Sequence, residues 1–219
     1  MKYSIPVIHL NMVDTVEKSL NSITRQINDD YEVVVVDGGS DDGSLEILRK
    51  IKDKNKIKLF ELKPDSKRTM GEDRNFSIDK SQGDYIILQL DMDDYYLDNV
   101  IPKFVEFYHR EIETKYGEVF ACGNGIQIGP RSLLSEHRYE NVDRGEDKLL
   151  WNKLLDANKF VKVEMPNARK KIDSDSLLVR IKKTSRRIFT SLKYGQGLDW
   201  EKLEGKIAKA PKEKLDWQE

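Results

Sequence analysis

Tyr85-Ile86-Ile87-Leu88-Gln89-Leu90-Asp91-Met92-Asp93-Asp94 is an apolar run ending in three carboxylates, near the middle of a chain of 219 residues. Apolar residues at successive positions bury both faces of a strand, as in the interior of an α/β sheet, and ligands of such sheets bind beyond the carboxyl ends of the strands. Acid concentrated there is costly unless something positive neutralises it, and a divalent cation carrying phosphates does so. The plain alternative is a solvated acidic turn, so the neighbouring segments decide.

Upstream, residues 4–10 form an apolar run, and Asp14 stands three residues before Glu17, a variant of the capping box that starts helices. Val16, Leu20, Ile23 and Ile27 then recur at helical spacing, and the β-branched run over 31–36 reads as a buried strand. The alternation repeats with a helix over 44–51, a strand over 57–62, a helix over 70–81 and the strand over 85–90. This predicts an α/β fold with a mostly parallel sheet flanked by helices. Downstream the pattern predicts a helix over 98–110, short strands near Val119 and Ile126, a helix over 146–157 and a last strand over 161–163 closed by Pro166.

The 38 basic and 39 acidic residues leave a net charge of -1, which excludes neither an anionic ligand nor an anionic surface and implies no nucleic-acid partner. The single cysteine, Cys122, has no partner for an internal disulfide and reads as a small buried residue. No apolar stretch approaches the roughly 20 residues that span a bilayer, and the N-terminal run is too short for a signal peptide core. A cytoplasmic protein is expected, either free or peripheral at the inner face of the membrane. From Asn167 the composition changes: residues 168–187 hold eight basic and two acidic side chains, a local charge of +6.

Three further segments carry chemistry. Asp37-Gly38-Gly39-Ser40-Asp41-Asp42-Gly43-Ser44 is an acidic, glycine-rich turn between a strand and a helix, with neither a dinucleotide fingerprint nor a P-loop. Its carboxylates suit a sugar hydroxyl or a base edge, and plain loop chemistry explains it equally well. Arg74-Asn75 lies on the helix before the acidic strand, where an arginine can hold a diphosphate or simply face solvent. Gly145-Glu146-Asp147 sets two acids at a helix start, where the macrodipole favours them, and where a carboxylate facing the acidic strand can serve as a general base.

Over residues 3–166 these segments together resemble the family 2 glycosyltransferases, nucleotide-sugar-dependent enzymes of the A-type glycosyltransferase (GT-A, Rossmann-like) fold. Ile5 to Asn11 is similar to the opening strand, with Leu10 at a position where an aromatic residue is common; Glu32 to Ser44 is similar to the nucleotide-binding turn, with Gly38 where many members carry a second aspartate. Arg74-Asn75 through Gly83-Asp84-Tyr85 resembles the family's Arg-Asn segment, Asp91-Met92-Asp93 its Asp-x-Asp element, and Glu146-Asp147 with Leu150-Trp151 its later Glu-Asp segment.

The resemblance implies an inverting, divalent-metal-dependent glycosyltransferase that moves a sugar from a nucleoside-diphosphate donor to an acceptor hydroxyl. Asp37, with His9, Asn11 and Asp42, would line the nucleotide pocket. Asp91 would approach the ribose and, with Asp93, hold Mn²⁺ or Mg²⁺, with Asp94 in support. Arg74 would add fixed positive charge, Asp147 would be the general base, and Glu146 would orient the acceptor or cap the helix. A UDP-sugar is the favoured donor, and a glycan, a lipid-linked molecule or a protein the acceptor. The catalytic domain is expected over 1–166, followed by a basic helical extension over 167–219. Within the extension, residues 168–193 carry apolar side chains among the basic ones, as suits an anionic membrane surface or packing on the domain.

Two alternatives stand beside this reading. An apolar strand followed by Asp-x-Asp also resembles the nucleophile segment of haloacid dehalogenase-type phosphatases, but that segment opens its domain, whereas here three strands precede it. A nucleotide-sugar binding module without catalysis is the other, against which stand both Asp93 and Asp147.

Overall fold

The computed structural model describes residues 2–54, 57–172 and 207–209. The chain alternates as expected: β1 (Tyr3–His9), α1 (Val16–Thr24), β2 (Tyr31–Asp37), α2 (Ser44–Lys54), β3 (Ile57–Glu61), α3 (Met70–Asp79) and β4 (Tyr85–Leu88). These four strands lie in the order β3-β2-β1-β4, all parallel, with His9 opposite Asp37 at the end of the central pair. The order reverses between β1 and β4, so the crevice beyond their carboxyl ends is the ligand position of an open α/β sheet.

The sheet continues through β7 (Gln127–Pro130), antiparallel to β4, then β6 (Phe120–Cys122) and β8 (Phe160–Glu164), and ends on β10 (Ile207–Lys209). Between β4 and β6 lie β5 (Asp94–Tyr96), α4 (Val100–Phe107), a π-helical turn over Tyr108–Glu113 and the short α5 (Thr114–Tyr116). After β7 come α6 (Arg131–Glu136) and α7 (Glu146–Asp156), and after β8 the short β9 (Arg169–Lys171). β9 pairs antiparallel with β5 in a separate two-stranded sheet. Residues that the sequence assigns to the start of the basic extension thus lie against the acidic turn.

Both faces of the sheet are covered. Val33 and Val35 of β2 and Ile87 of β4 face a core shared with α1, α2 and α4. Ile86 and Leu88 face a second core with Ile78 of α3, Leu133 and Leu134 of α6, and Leu150, Leu154 and Leu155 of α7. All seven residues of β2 are buried, which is why it reads as a continuous apolar run.

Some expectations are corrected. Asp14 does not cap α1: Thr15 holds the N-cap position without a side-chain hydrogen bond, and the backbone N–H groups of Thr15 and Val16 donate to Met12 O. A capping box does form at α3, where Thr69 accepts from Glu72 N–H and the Glu72 carboxylate accepts from Thr69 N–H at 2.7 Å. The fourth strand stops at Leu88 because Gln89 takes a left-handed backbone, φ 62°. The helix α6 was not anticipated, and the strand over 160–164 is followed by two more. Among the described residues no helix is long and apolar enough to cross a membrane. Residues 173–193, most of the segment considered for a membrane surface, lie outside the described residues.

Candidate active site

The left-handed Gln89 turns the chain off β4 and sends Asp91, Asp93 and Asp94 into the crevice, where one oxygen from each lies within 4.8 Å of the others. Tyr96, fully buried on β5, organises this turn: its hydroxyl accepts Asp91 N–H and donates to Gln89 O at 3.2 Å. Two cations of β9 sit among the acids. Arg169 Nη1 is 3.0 Å from Asp91 Oδ2 and 2.7 Å from Asp94 Oδ2, and it also donates to Gln89 O. Lys171 Nζ is 3.0 Å from Asp93 Oδ1 and 2.8 Å from Asp94 Oδ1. Burial pushes the Asp94 carboxyl up, and Lys171 and Arg169 oppose that shift. Three hard oxygen donors suit Mn²⁺ or Mg²⁺. That the protein's own ammonium already bridges two of them shows a field that holds positive charge, so the residues fit the metal.

Across the crevice, Arg74 of α3 gathers a second set of acids. Its Nε donates to Glu146 Oε1 at 3.1 Å, and its Nη2 stands 3.8 Å from Asp147 Oδ2 and 3.9 Å from Asp91 Oδ1. The Tyr139 ring lies 5.7 Å from the guanidinium carbon. Burial alone would lower the Arg74 pKa, but Asp147, Tyr139, Asp91 and Glu146 outweigh it and hold the charge on. Glu146 is 4% exposed, and burial, then the charge of Asp147, raises its carboxyl above the usual range. Asp147 opens more to the crevice, with 22% of its side chain exposed against 6% for Glu146, and the buried Tyr139 hydroxyl hydrogen-bonds to it. Gly145 precedes them in a left-handed conformation, φ 81°, which starts α7 so that both acids fall in its first turn.

The glycine-rich turn after β2 is stitched to the loop after β1. Asp37 is fully buried, and Asp37 Oδ1 accepts from His9 Nδ1–H at 2.8 Å, while His9 Nε2 has no protein hydrogen-bond partner. Burial raises the Asp37 pKa, but hydrogen bonds from His9, from the Ser40 side chain and from the backbone N–H groups of Ser40 and Gly39 bring it to about 2. Asn11 Oδ1 accepts Asp41 N–H. Asp42 accepts from Val13 N–H and from the backbone and hydroxyl of Ser44. Asn11 and Asp42 therefore shape the turn through backbone contacts. Gly39, at φ 99°, could not carry a side chain, because its Cβ would lie 2.6 Å from Pro64 N.

Beside this turn is a cleft of about 610 Å³ whose lining includes Leu62, Pro64, Arg68, Asp73 and Phe76. Arg68 Nη2 donates to Gly38 O at 2.7 Å, and its Nε lies 2.7 Å from Asp73 Oδ1. A Cβ at Gly38 would touch the same guanidinium at 3.4 Å, so Arg68 occupies the side of the turn that a residue larger than glycine would claim. Leu10, 52% exposed, borders the other side of Gly38.

The structure thus brings Asp91, Asp93, Asp94, Arg74 and Asp147 to one crevice and places His9, Asn11, Asp37 and Asp42 together at the neighbouring strand ends. Sequence reasoning missed Arg68, Asp73, Arg169 and Lys171. An excess of positive charge was visible around Arg169 and Lys171, but nothing local in the sequence shows that they pair with acids some 78 positions earlier. Cys122 is buried, as expected, and burial pushes its thiol up to about 11, which leaves it without a nucleophile's ionisation.

Comparison with known proteins bears on this geometry. A Haemophilus influenzae protein described as an uncharacterized glycosyltransferase is 29% identical over 176 residues, covering 76% of this chain and 68% of its own length. Another so described, from Rickettsia bellii, is 27% identical over 90% of this chain, which spans only 31% of it. The poly(ribitol-phosphate) β-N-acetylglucosaminyltransferase TarS of Staphylococcus aureus is 29% identical over 51% of this chain, which spans 20% of that protein. Two crystal structures share the fold. TarS 1–349 in complex with UDP has a TM-score of 0.64 at 18% identity, covering 92% of this chain and 68% of that one. Mycobacterium tuberculosis glucosyl-3-phosphoglycerate synthase with Mn²⁺, UDP and phosphoglyceric acid has a TM-score of 0.60 at 19% identity, covering 90% and 80%. Residues 4–163 match the sequence profile of Glycosyl transferase family 2, a match that leaves no place for the phosphatase alternative. Because that span runs from β1 into β8 and takes in both carboxylate clusters, the chain belongs to glycosyl transferase family 2.

Proposed function

We propose that this chain transfers a sugar from a UDP-sugar to an acceptor hydroxyl with inversion at the anomeric carbon. The observation that carries the reading is the placement of Arg74 Nη2 between Asp91, 3.9 Å away, and Asp147, 3.8 Å away, which sets donor-side acid and candidate base on opposite sides of one crevice. Neighbouring structures solved with UDP, with UDP-GlcNAc and with Mn²⁺ and UDP support the donor class.

In this reading the nucleotide lies along the ends of β1 and β2. Leu10 offers the base an exposed apolar surface, and the cleft beside Gly38 receives its edge. His9 and Asp37 fix the turn beneath it. Asp91 reaches the ribose. Asp93 and Asp91, backed by Asp94, hold Mn²⁺ or Mg²⁺, which when bound offsets the charge growing on the leaving diphosphate.

Asp147 takes the proton from the acceptor hydroxyl as its oxygen attacks the anomeric carbon and the bond to the diphosphate breaks. Its greater exposure to the crevice favours it over Glu146, whose pairing with Arg74 fixes it as a support for α7 and for the base. The acceptor hydroxyl belongs to a glycan, a lipid-linked molecule or a protein; relatives are named for transfer to poly(ribitol-phosphate) and to cholesterol.

A panel of UDP-, GDP- and dTDP-sugars, read by thermal shift with Mn²⁺, selects the donor. The Asp147→Asn variant should then bind UDP as the wild type does while sugar transfer, read as UDP release, falls about 10²-fold or more. Turnover near the wild-type rate would remove Asp147 from the role. A wild type that binds donor but never releases UDP, with any acceptor, would favour the binding module.

A further inference from the structure

The three acids of the β4 turn are paired with cations from the far end of the described chain, and the two cations differ in kind. Arg169 is mostly buried, with 22% of its side chain exposed, and is fixed by Asp91, Asp94 and the Gln89 carbonyl together. A planar guanidinium held by several acceptors is a fixed part of a site. Lys171 is 61% exposed, and its ammonium bridges Asp93 Oδ1 and Asp94 Oδ1 from a flexible stem. It stands between the same two oxygens that a divalent cation on Asp93, backed by Asp94, would contact. A lysine and a divalent ion cannot share that place, both for room and for charge repulsion.

We infer that Arg169 and Lys171 of β9 belong to the donor-diphosphate site, with Lys171 a movable counter-cation. The inference rests on the metal-dependent reading above. In the donor-free protein Lys171 neutralises Asp93 and Asp94; when the cation and donor enter, its ammonium leaves the carboxylates and pairs with the diphosphate. Antiparallel pairing of β9 with β5, Lys171 opposite Asp94, keeps the lysine backbone beside the turn while the side chain swings. The metal and the donor then bind with mutual support, because each gives up or supplies what the lysine needs.

The test is binding by calorimetry on the full chain. Lys171→Met keeps the stem and removes the charge, so it should bind Mn²⁺ about two- to fivefold more tightly than the wild type without donor, the scale of a largely exposed ion pair. At saturating Mn²⁺ the same variant should bind UDP about two- to fivefold more weakly, and Lys171→Arg should restore UDP affinity. A misfolded site would lose Mn²⁺ affinity, which a charge competitor's removal cannot do. Asp93→Asn separates the two failures. If wild-type Mn²⁺ binding does not depend on Asp93, the metal reading falls and this inference with it. If it does depend on Asp93 while Lys171→Met leaves Mn²⁺ affinity unchanged or lower, the metal reading stands and the displacement is overturned. UDP affinity unchanged by Lys171→Met would overturn the pairing with diphosphate.

Discussion

Arg74→Met tests the ionic frame of the site. Arg74 is 8% exposed and Glu146 is 4% exposed, so the pair at 3.1 Å is shielded from water. Methionine keeps an apolar stem along α3 and removes the charge and its donors. Removing one partner of a buried pair typically costs about 3–5 kcal/mol, because the other charge is stranded. Asp147 and Asp91, with 22% and 36% of their side chains exposed, are rehydrated instead. Only Glu146 bears the full penalty, so the low end, about 3 kcal/mol, applies. For a chain of this length that corresponds to a fall in Tm of about 6–12 °C. Glu146 also sets the pH dependence. Its folded-state pKa is raised, first by burial and then by Asp147, and rises further without Arg74. A carboxyl whose folded pKa lies above its unfolded value favours the folded state more as pH falls through the folded value. The deficit of Arg74→Met should therefore be largest near neutral pH and shrink toward pH 5. Adding Glu146→Gln should recover more than half of it. Urea unfolding of the wild type, both single variants and the double variant, at both pH values, measures this cycle. Losses that add to within about 0.5 kcal/mol, with no pH dependence, would refute the reasoning.

Gly71→Ala in α3 should destabilise, although alanine is worth about 1 kcal/mol more than glycine in a helix interior. The new Cβ would lie 1.8 Å from Glu140 O and 2.9 Å from its carbonyl carbon, so α3 and the loop over 140–142 must part; a raised Tm would show that this contact yields freely. Asp37→Asn should lose about 2 kcal/mol near neutral pH, the worth of holding that carboxyl at about 2. Because a lowered carboxyl stabilises only while ionised, the gap between wild type and variant should be full above about pH 4 and close as pH falls toward 2; a gap in urea midpoints that is constant over that range would place the role of Asp37 elsewhere.

How much of this was legible depends on where each signal resides. β2 and β4 were readable because burial on both faces leaves its mark in consecutive apolar residues, and α7 because acids in a first turn complement the helix dipole locally. Asp14 with Glu17 imitated a cap that Met12 O supplies instead, whereas Thr69 with Glu72 forms the real one. β5 and β9 are three residues each and exist only because they pair with one another across 75 positions. No local periodicity encodes such a pair, and for the same reason Arg169 and Lys171 read as the start of a basic tail rather than as the neutralising half of the acidic turn. Asp42 and Asn11 stood out in the sequence as polar residues of two loops, but the backbone N–H groups that engage them become visible only once the loops meet.

The site has two ionic clusters, each built round one buried arginine, and Asp91 belongs to both: Oδ1 lies 3.9 Å from Arg74 Nη2, and Oδ2 lies 3.0 Å from Arg169 Nη1. The acids proposed for the donor and the proposed base are therefore held in one frame rather than in two adjustable ones. That explains why the arginine comes from α3, the helix leading into β4: the capping box at Thr69 and Glu72 and the close packing of Gly71 on Glu140 fix the axis of α3 against the loop preceding α7. A helix anchored in that way sets the distance between Asp91 and Asp147 before any ligand arrives. Preorganised charge of this kind acts in the transition state without reorganisation at the moment of reaction. Lys171, the most exposed of the three cations, is then the part of the frame proposed to move, and Arg74 and Arg169, held by several acids each, would let one lysine change partners without loosening the rest.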